Sequence, residues 1–251
     1  MKHRLHTLYE YGALYLGLGF LGVMCLSWIP IATLLYLVLP QRLGGVVGRY
    51  AIMVGFRLYI GFLSLMGGCR FDLSGLDALR GEPPMIIAPN HPCLLDAVMV
   101  ISRLPNVACI MKATLIDNLF LGAGARLARY IRNDSIVSMV INAVDSLGSG
   151  NHLLIFPEGT RTTRLPVNPF MGSIGFIARR ANVPVQTVFI ETDSRYLSKG
   201  WPLFRKPALP ITYRIRLGRR FEPQDNVRSL VTELERYFAA ELSGRAPMPS
   251  V

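Results

Sequence analysis

No charged side chain occurs between Tyr11 and Gln41. Across all 251 residues only 17% are charged while 51% are hydrophobic, which sets the chain apart from an ordinary soluble domain. Acid is the scarcer sign: 16 Asp and Glu stand against 27 Lys and Arg, for a formal net charge of +11. A basic excess suits nucleic acid, anionic lipid or a phosphate-bearing substrate, and the apolar excess favours the last two. Cysteine is sparse too. Cys25, Cys69, Cys93 and Cys109 include no C-x-x-C pair, so neither a zinc site nor a redox pair is indicated, and the chain is no disulfide scaffold. Four reduced, mostly buried thiols in a domain facing the cytosol are expected.

Several motifs are missing. There is no G-x-x-x-x-G-K-[ST] run, which excludes a P-loop. Gly122-Ala123-Gly124-Ala125 is a broken dinucleotide fingerprint, with Leu127 where a third glycine belongs. Met171 before Gly172-Ser173 spoils a serine-hydrolase elbow. His3, His6 and His152 form no metal-ligand cluster with nearby carboxylates, so no metal is expected. The basic residues are dispersed and nucleic-acid motifs are absent, so no nucleic-acid partner is expected either. The first apolar run lacks a small-x-small cleavage site and is too long for a signal peptide.

As a helix, Tyr11–Gln41 would be about 45 Å long, against a hydrocarbon core of about 30 Å. Pro30 interrupts it, and a proline inside a helix breaks or kinks it. Two readings follow: one tilted, kinked span, or a re-entrant hairpin with Pro30 near the bend. Lys2 and Arg4 before the run, with Arg42 and Arg49 after it, put positive charge on both sides, as a same-side hairpin would. A second apolar stretch, Ala51 to Met66, contains Arg57 and reads either as another span or as an interfacial helix with Arg57 snorkelling. A membrane-embedded two-helix motif is therefore expected over residues 1–68.

From about Cys69 short strands and helices alternate. Met85–Ala88, Val107–Met111, Leu153–Phe156 and Val185–Ile190 are almost wholly apolar, as in strands covered on both faces. Thr212–Leu217 alternates polar with apolar residues, which marks a strand with one wet face. Helices are expected near 94–103, 115–128, 135–148, 172–181 and 225–242, the last a packing helix of the core. The fold class is α/β: a mixed sheet flanked by helices over residues 69–243, followed by a short tail at 244–251.

Two constellations carry chemistry. In Asn90-His91-Pro92-Cys93-Leu94-Leu95-Asp96, His and Asp are five apart, about 140° apart on a regular helix. Pro92 allows them to meet, because proline favours the first helical position and keeps the preceding residue extended. His91 then ends the strand while Asp96 falls in the first turns of the helix. A histidine can take the proton of a hydroxyl, and a carboxylate on its far nitrogen fixes the tautomer. The same spacing would equally suit a structural histidine beside a helix-capping aspartate. The second constellation is Pro157-Glu158-Gly159-Thr160-Arg161, at the end of another apolar strand. It presents a hydroxyl, flexible backbone N–H groups and a guanidinium that can bind phosphate as a planar fork.

The two motifs together, some sixty residues apart, resemble the leading motifs of the glycerolipid acyltransferases, the family that includes bacterial 1-acylglycerol-3-phosphate acyltransferase. The likeness covers roughly residues 70–220. It implies that His91 is a general base, that Asp96 is its partner, and that Glu158, Gly159, Thr160 and Arg161 bind the phosphate of an acyl acceptor. Tyr130-Ile131-Arg132-Asn133-Asp134 is similar to a further family motif and makes Arg132 a second phosphate ligand; a structural arginine beside a capping Asp134 is the alternative. Val183-Pro184-Val185 resembles a fourth motif and reads as structural. Phe170-Met171-Gly172-Ser173 departs from the family by putting Met171 where a cation is usual. Cys93 invites comparison with a covalent nucleophile, although a small core residue is the reading adopted.

The resemblance implies an O-acyltransferase that moves a fatty acyl chain from acyl-CoA or acyl-ACP to a lysophospholipid hydroxyl, 1-acylglycerol-3-phosphate above all. No cofactor is needed beyond that thioester. The partners are the lipid acceptor, the donor's CoA or acyl carrier protein, and the bilayer of a bacterial-type inner membrane, with the catalytic domain facing the cytosol. An aminolipid or specialised-metabolite acceptor is one alternative, and a non-catalytic lipid-binding membrane protein is another.

Overall fold

The computed structural model describes residues 2–243, with side chains from residue 4; the tail expected at 244–251 lies outside the described residues. Helix α1 (Lys2–Val38) runs unbroken through Pro30. The chain reverses at Leu39-Pro40, and α2 (Gln41–Leu65) returns along α1. The return is antiparallel: Phe20 stacks on Phe62 at 4.2 Å between centroids, and the Tyr9 hydroxyl donates to the Met66 carbonyl at 2.7 Å. The expectation of a bend near Pro30 is thereby corrected. Pro30 forfeits one helical hydrogen bond, which a long helix tolerates. Pro40 sits at ψ 145°, outside the helical region, and disfavours helical backbone in Leu39.

The rest of the chain builds one seven-stranded sheet. Its strands are β1 (Cys69–Asp72), β2 (Ile86–Pro89), β3 (Val107–Met111), β4 (Ile131–Arg132), β5 (His152–Leu154), β6 (Val185–Thr192) and β7 (Ile211–Phe221). Their spatial order is β1-β7-β6-β2-β5-β3-β4. Only the β6–β7 pairing is antiparallel, so the sheet is mixed. Two short strands, β1 and β4, escape the hydrophobic-run criterion because four and two residues are too few to show a period.

The helices are α3 (Asp96–Arg103), α4 (Ala113–Ile116), α5 (Leu119–Leu127), α6 (Ile136–Gly148), α7 (Ser173–Ala181) and α8 (Val227–Ser243), with a 3-10 turn at Ser74–Leu79. Alternate side chains of each central strand feed opposite cores. Ile86 and Ala88 join α6, α7 and α8 on one face, while Ile87 packs with α3 and the 3-10 turn on the other. The α1–α2 hairpin covers that second face: Phe20, Met24, Ile52 and Phe56 pack against its core. Burying both faces explains why the central strands read as continuous apolar runs.

Candidate active site

Strands β2 and β5 are parallel neighbours, with Ile87 opposite Leu154. Their C-terminal ends therefore lie side by side, about 4.8 Å apart across the sheet. The two constellations that follow these strands meet at one edge.

The loop after β2 is stapled first. Asn90 donates from Nδ2 to the Ile190 carbonyl at 3.0 Å and accepts from the Ile190 N–H at 2.7 Å, which ties the strand end to β6. Pro92 lies in a turn and α3 begins at Asp96, so the helix starts two residues later than expected and Pro92 is not its first residue. The turn brings the two functional groups together. His91 Nδ1 lies 2.8 Å from Asp96 Oδ2. The Asp96 side chain is 0% exposed and that of His91 16% exposed, so the carboxylate is dry while the ring reaches the surface. Phe156 stacks on the imidazole at 3.8 Å between centroids and fixes its plane. Nε2 takes no hydrogen bond among the described residues.

Asp96 has two further donors, both from Cys93: the backbone N–H at 2.8 Å to Oδ2 and the thiol at 3.0 Å to Oδ1. Burial pushes the Asp96 carboxyl up, and its bonds to His91 and Cys93 hold it back. Burial, then the Asp96 charge, raises the Cys93 thiol well above its ordinary range. A buried, protonated thiol is a poor nucleophile, so Cys93 acts as a donor that orients Asp96.

Glu158 is turned inward. It is 5% exposed, and all its hydrogen bonds point into the protein. Oε1 accepts from the His91 N–H at 3.2 Å and from the Thr162 hydroxyl at 2.7 Å, and Oε2 accepts from the Asn168 N–H at 2.9 Å. These bonds tie the β5 loop to the backbone of His91. Burial raises its carboxyl, and the three donors oppose that shift. Asn168, a residue that sequence reasoning passed over, supports the same loop. It is 7% exposed and accepts at Oδ1 from the N–H groups of Thr163 and Arg164 and from the Thr163 hydroxyl. A lone asparagine between Pro166 and Pro169, able to hydrogen-bond nearby backbone N–H groups, was the available signal.

Gly159 has φ +66° and Met171 Sδ packed so closely that a Cβ would meet it at 2.2 Å. Its own N–H donates to the Phe156 carbonyl at 2.9 Å. The N–H groups of Thr160 and Arg161 have no acceptor among the described residues. Arg161 donates from one terminal nitrogen to the carbonyls of Leu197 and Ser198, at 2.9 and 2.8 Å, which orients the guanidinium and leaves its other nitrogens unengaged among the described residues.

Arg132 is placed differently from the other candidates. It ends the edge strand β4, three strands from β2, and forms a bidentate pair with Asp117 at 2.7 and 3.0 Å and another bond to Asp134 at 2.9 Å. Its charge is paired with these two carboxylates, the arrangement that the structural alternative expected. Among the described residues no group of three His, Cys, Asp or Glu side chains gathers to hold a metal ion.

An apolar cavity of about 480 Å³ lies between α1, α2, the start of α5 and the end of β3. Met24, Trp28, Ile52, Phe56, Met111 and Tyr130 help to line it.

Residues 70–191, which carry the paired imidazole and carboxylate and the arginine loop, match the acyltransferase family model. Over these residues the chain resembles the glycerolipid acyltransferases. Human 1-acyl-sn-glycerol-3-phosphate acyltransferase beta is 24% identical over 195 residues, covering 71% of this chain and 69% of its own length. The Caenorhabditis elegans protein acl-2, provisionally named for the same activity, is 28% identical over 145 residues, 55% of this chain and 51% of its own length. The match thus spans about half of that nematode relative. The crystal structure of the 1-acyl-sn-glycerophosphate acyltransferase PlsC from Thermotoga maritima superposes with a TM-score of 0.67 over 98% of both chains, at 19% identity, a likeness of fold.

Proposed function

We propose that this protein transfers a fatty acyl chain from a CoA or carrier-protein thioester to the free hydroxyl of a lysophospholipid, with 1-acylglycerol-3-phosphate as the favoured acceptor. The observation that carries the reading is the His91 ring, clamped by buried Asp96 and Phe156, with Nε2 open beside the Arg161 loop. Arg161 holds the acceptor's phosphate. His91 Nε2 takes the hydroxyl proton as the oxygen forms its bond to the thioester carbonyl carbon. The N–H groups of Thr160 and Arg161, which have no acceptor among the described residues, receive the oxyanion, while the Gly159 N–H is already engaged with Phe156. The tetrahedral species collapses, the C–S bond breaks, and the departing thiolate receives the proton from His91. Asp96 keeps its negative charge and stabilises the transient imidazolium. The apolar cavity beneath α1 and α2 suits an acyl chain.

The hairpin supports a membrane location. Helix α1 would be about 55 Å long, well beyond a hydrocarbon core of about 30 Å. Both its ends are bound to the catalytic domain: Glu10 pairs with Lys206, and Ala32 packs on Ala123 and Leu127. A helix held along its length by a polar domain lies in one leaflet with its outer face in lipid, and we assign the hairpin that arrangement, on the cytosolic side of a bacterial-type inner membrane.

Met171 supports a second reading of the acceptor. It covers Gly159 with an apolar, 45% exposed residue where the family resemblance leads one to expect a cation, which suits a head group with less negative charge, such as an aminolipid. Thioester consumption by the purified protein, with labelled donors and a panel of lysolipids, tests both readings. His91→Ala should lower turnover by about 10²–10⁴-fold. Full activity in that variant would end the mechanism, and acylation of aminolipids alone would replace the acceptor.

A further inference from the structure

The loop between β6 and β7 is long, and it does two things at once. Near its start, the Leu197 carbonyl accepts from the Leu94 N–H at 3.2 Å, inside the His91–Asp96 turn, and the carbonyls of Leu197 and Ser198 hold Arg161. Near its end it grips α1: Lys206 pairs with Glu10, the Leu209 N–H donates to Glu10 at 3.2 Å, and Phe204 stacks on Tyr15 at 6.4 Å between centroids.

Between these anchors is a tight turn. The Arg205 N–H donates to the Pro202 carbonyl at 3.0 Å, Trp201 Nε1 donates to the Arg205 carbonyl at 3.0 Å, and the Arg205 guanidinium lies 4.9 Å from the Trp201 ring centre. The turn pushes apolar side chains outward, with Leu203 47% and Phe204 64% exposed. They continue the exposed face of α1 formed by Leu8, Tyr11 and Tyr15. Residues 193–206 carry Arg195, Lys199, Arg205 and Lys206 against one acid, Asp193.

We propose that the β6–β7 loop is an interfacial hook that docks on anionic lipid headgroups beside α1. This rests on the membrane reading of the hairpin given above. Tryptophan and tyrosine settle at the boundary between hydrocarbon and water, and arginine and lysine beside them meet lipid phosphates. Leu203 and Phe204 enter the acyl boundary, with Trp201 and Arg205 at the headgroup level. Because the same loop fixes Arg161, docking sets the height of that guanidinium above the leaflet from which the acceptor comes.

The chain has two tryptophans, so Trp28→Phe leaves Trp201 as the sole reporter. In mixed phosphatidylcholine–phosphatidylglycerol vesicles, Trp201 emission should shift to the blue and be quenched by lipids brominated near the headgroup. The shift should weaken at high salt or in pure phosphatidylcholine. Leu203→Ser with Phe204→Ser should lower turnover several-fold on acceptor presented in vesicles and leave turnover on detergent-dispersed acceptor unchanged. Protein that sediments with vesicles while Trp201 stays open to iodide would overturn the hook and leave the hairpin reading standing. Protein that does not sediment at all would overturn both.

Discussion

Replacing Glu158 by Gln separates a residue that holds substrate from one that holds the site. The amide keeps an oxygen that can accept from the His91 N–H and the Thr162 hydroxyl. Its NH₂ then faces the Asn168 N–H at 2.9 Å, where a carboxylate oxygen accepted, and two donors oppose each other. Losing a hydrogen bond to a charged acceptor costs about 1.5–3 kcal/mol. Relief of the buried charge returns part of that, since burial already pushes the Glu158 carboxyl up. The net destabilisation should be about 1–2 kcal/mol, a fall in Tm of roughly 2–8 °C for a chain of this size. Because the carboxylate orients the His91 backbone, kcat should fall while KM for the acceptor changes little. The pH dependence has a fixed sign. Glu158 binds its proton more tightly folded than unfolded, so its contribution to stability declines as pH rises from the ordinary glutamate range through the folded value. Gln does not titrate, so the Tm advantage of wild type over the variant should be largest at low pH and shrink upward. Thermal scans across pH with steady-state kinetics measure both. A rise in acceptor KM at unchanged Tm and kcat would refute the positioning role and return Glu158 to the phosphate site.

Gly159→Ala forces an L side chain to φ +66° at about 1–2 kcal/mol and drives Cβ into Met171, so acylation should drop sharply; Met171→Ala in the same chain should restore only part of it, and full restoration in an activity assay would show that the backbone angle is unimportant. Cys93→Ala leaves Asp96 Oδ1 without its thiol donor in a dry pocket and should move the acid limb of the kcat/KM profile to higher pH, whereas Cys93→Ser should keep the limb near wild type. Native protein should also resist alkylation at Cys93, and rapid loss of activity in iodoacetamide would contradict its role as a buried donor.

Much of the catalytic half was legible because its signals are local. Val107–Met111 is a strand in the sequence and in the structure, with the same bounds. The β7 alternation appears as buried Tyr213 and Ile215 beside exposed Thr212 and Arg214. His91 and Asp96 could be paired from a five-residue spacing because Pro92 forbids a continuous helix, and a turn does bring them to 2.8 Å. What escaped depends on partners distant in sequence. Asp117 lies fifteen residues before Arg132, and nothing in the local motif announces that it compensates that charge. Glu158 looked like part of a ligand loop because it shares its motif with Thr160 and Arg161, while its own donors come from His91, Thr162 and Asn168.

The hairpin shows the same division from another side. Pro30 and Pro40 are both helix breakers by propensity, and local reasoning chose the one in the middle of the apolar run. The structure distinguishes them by what surrounds each. Around Pro30, Trp28 packs on Gly124 and Ala32 is wholly buried against α5, so tertiary contacts on both sides keep α1 in register across the missing hydrogen bond. After Pro40 the chain must turn for α2 to lay Gly48 on the backbone of Ala128 and bring buried Arg49 to the Ala128 carbonyl at 3.2 Å. A side chain at residue 48 would meet that backbone at 2.5 Å, so the glycine permits a close approach that no apolar pattern encodes. The reversal point is therefore set by the catalytic domain that the hairpin covers, and a reading confined to the N-terminal run lacks the partner that decides it.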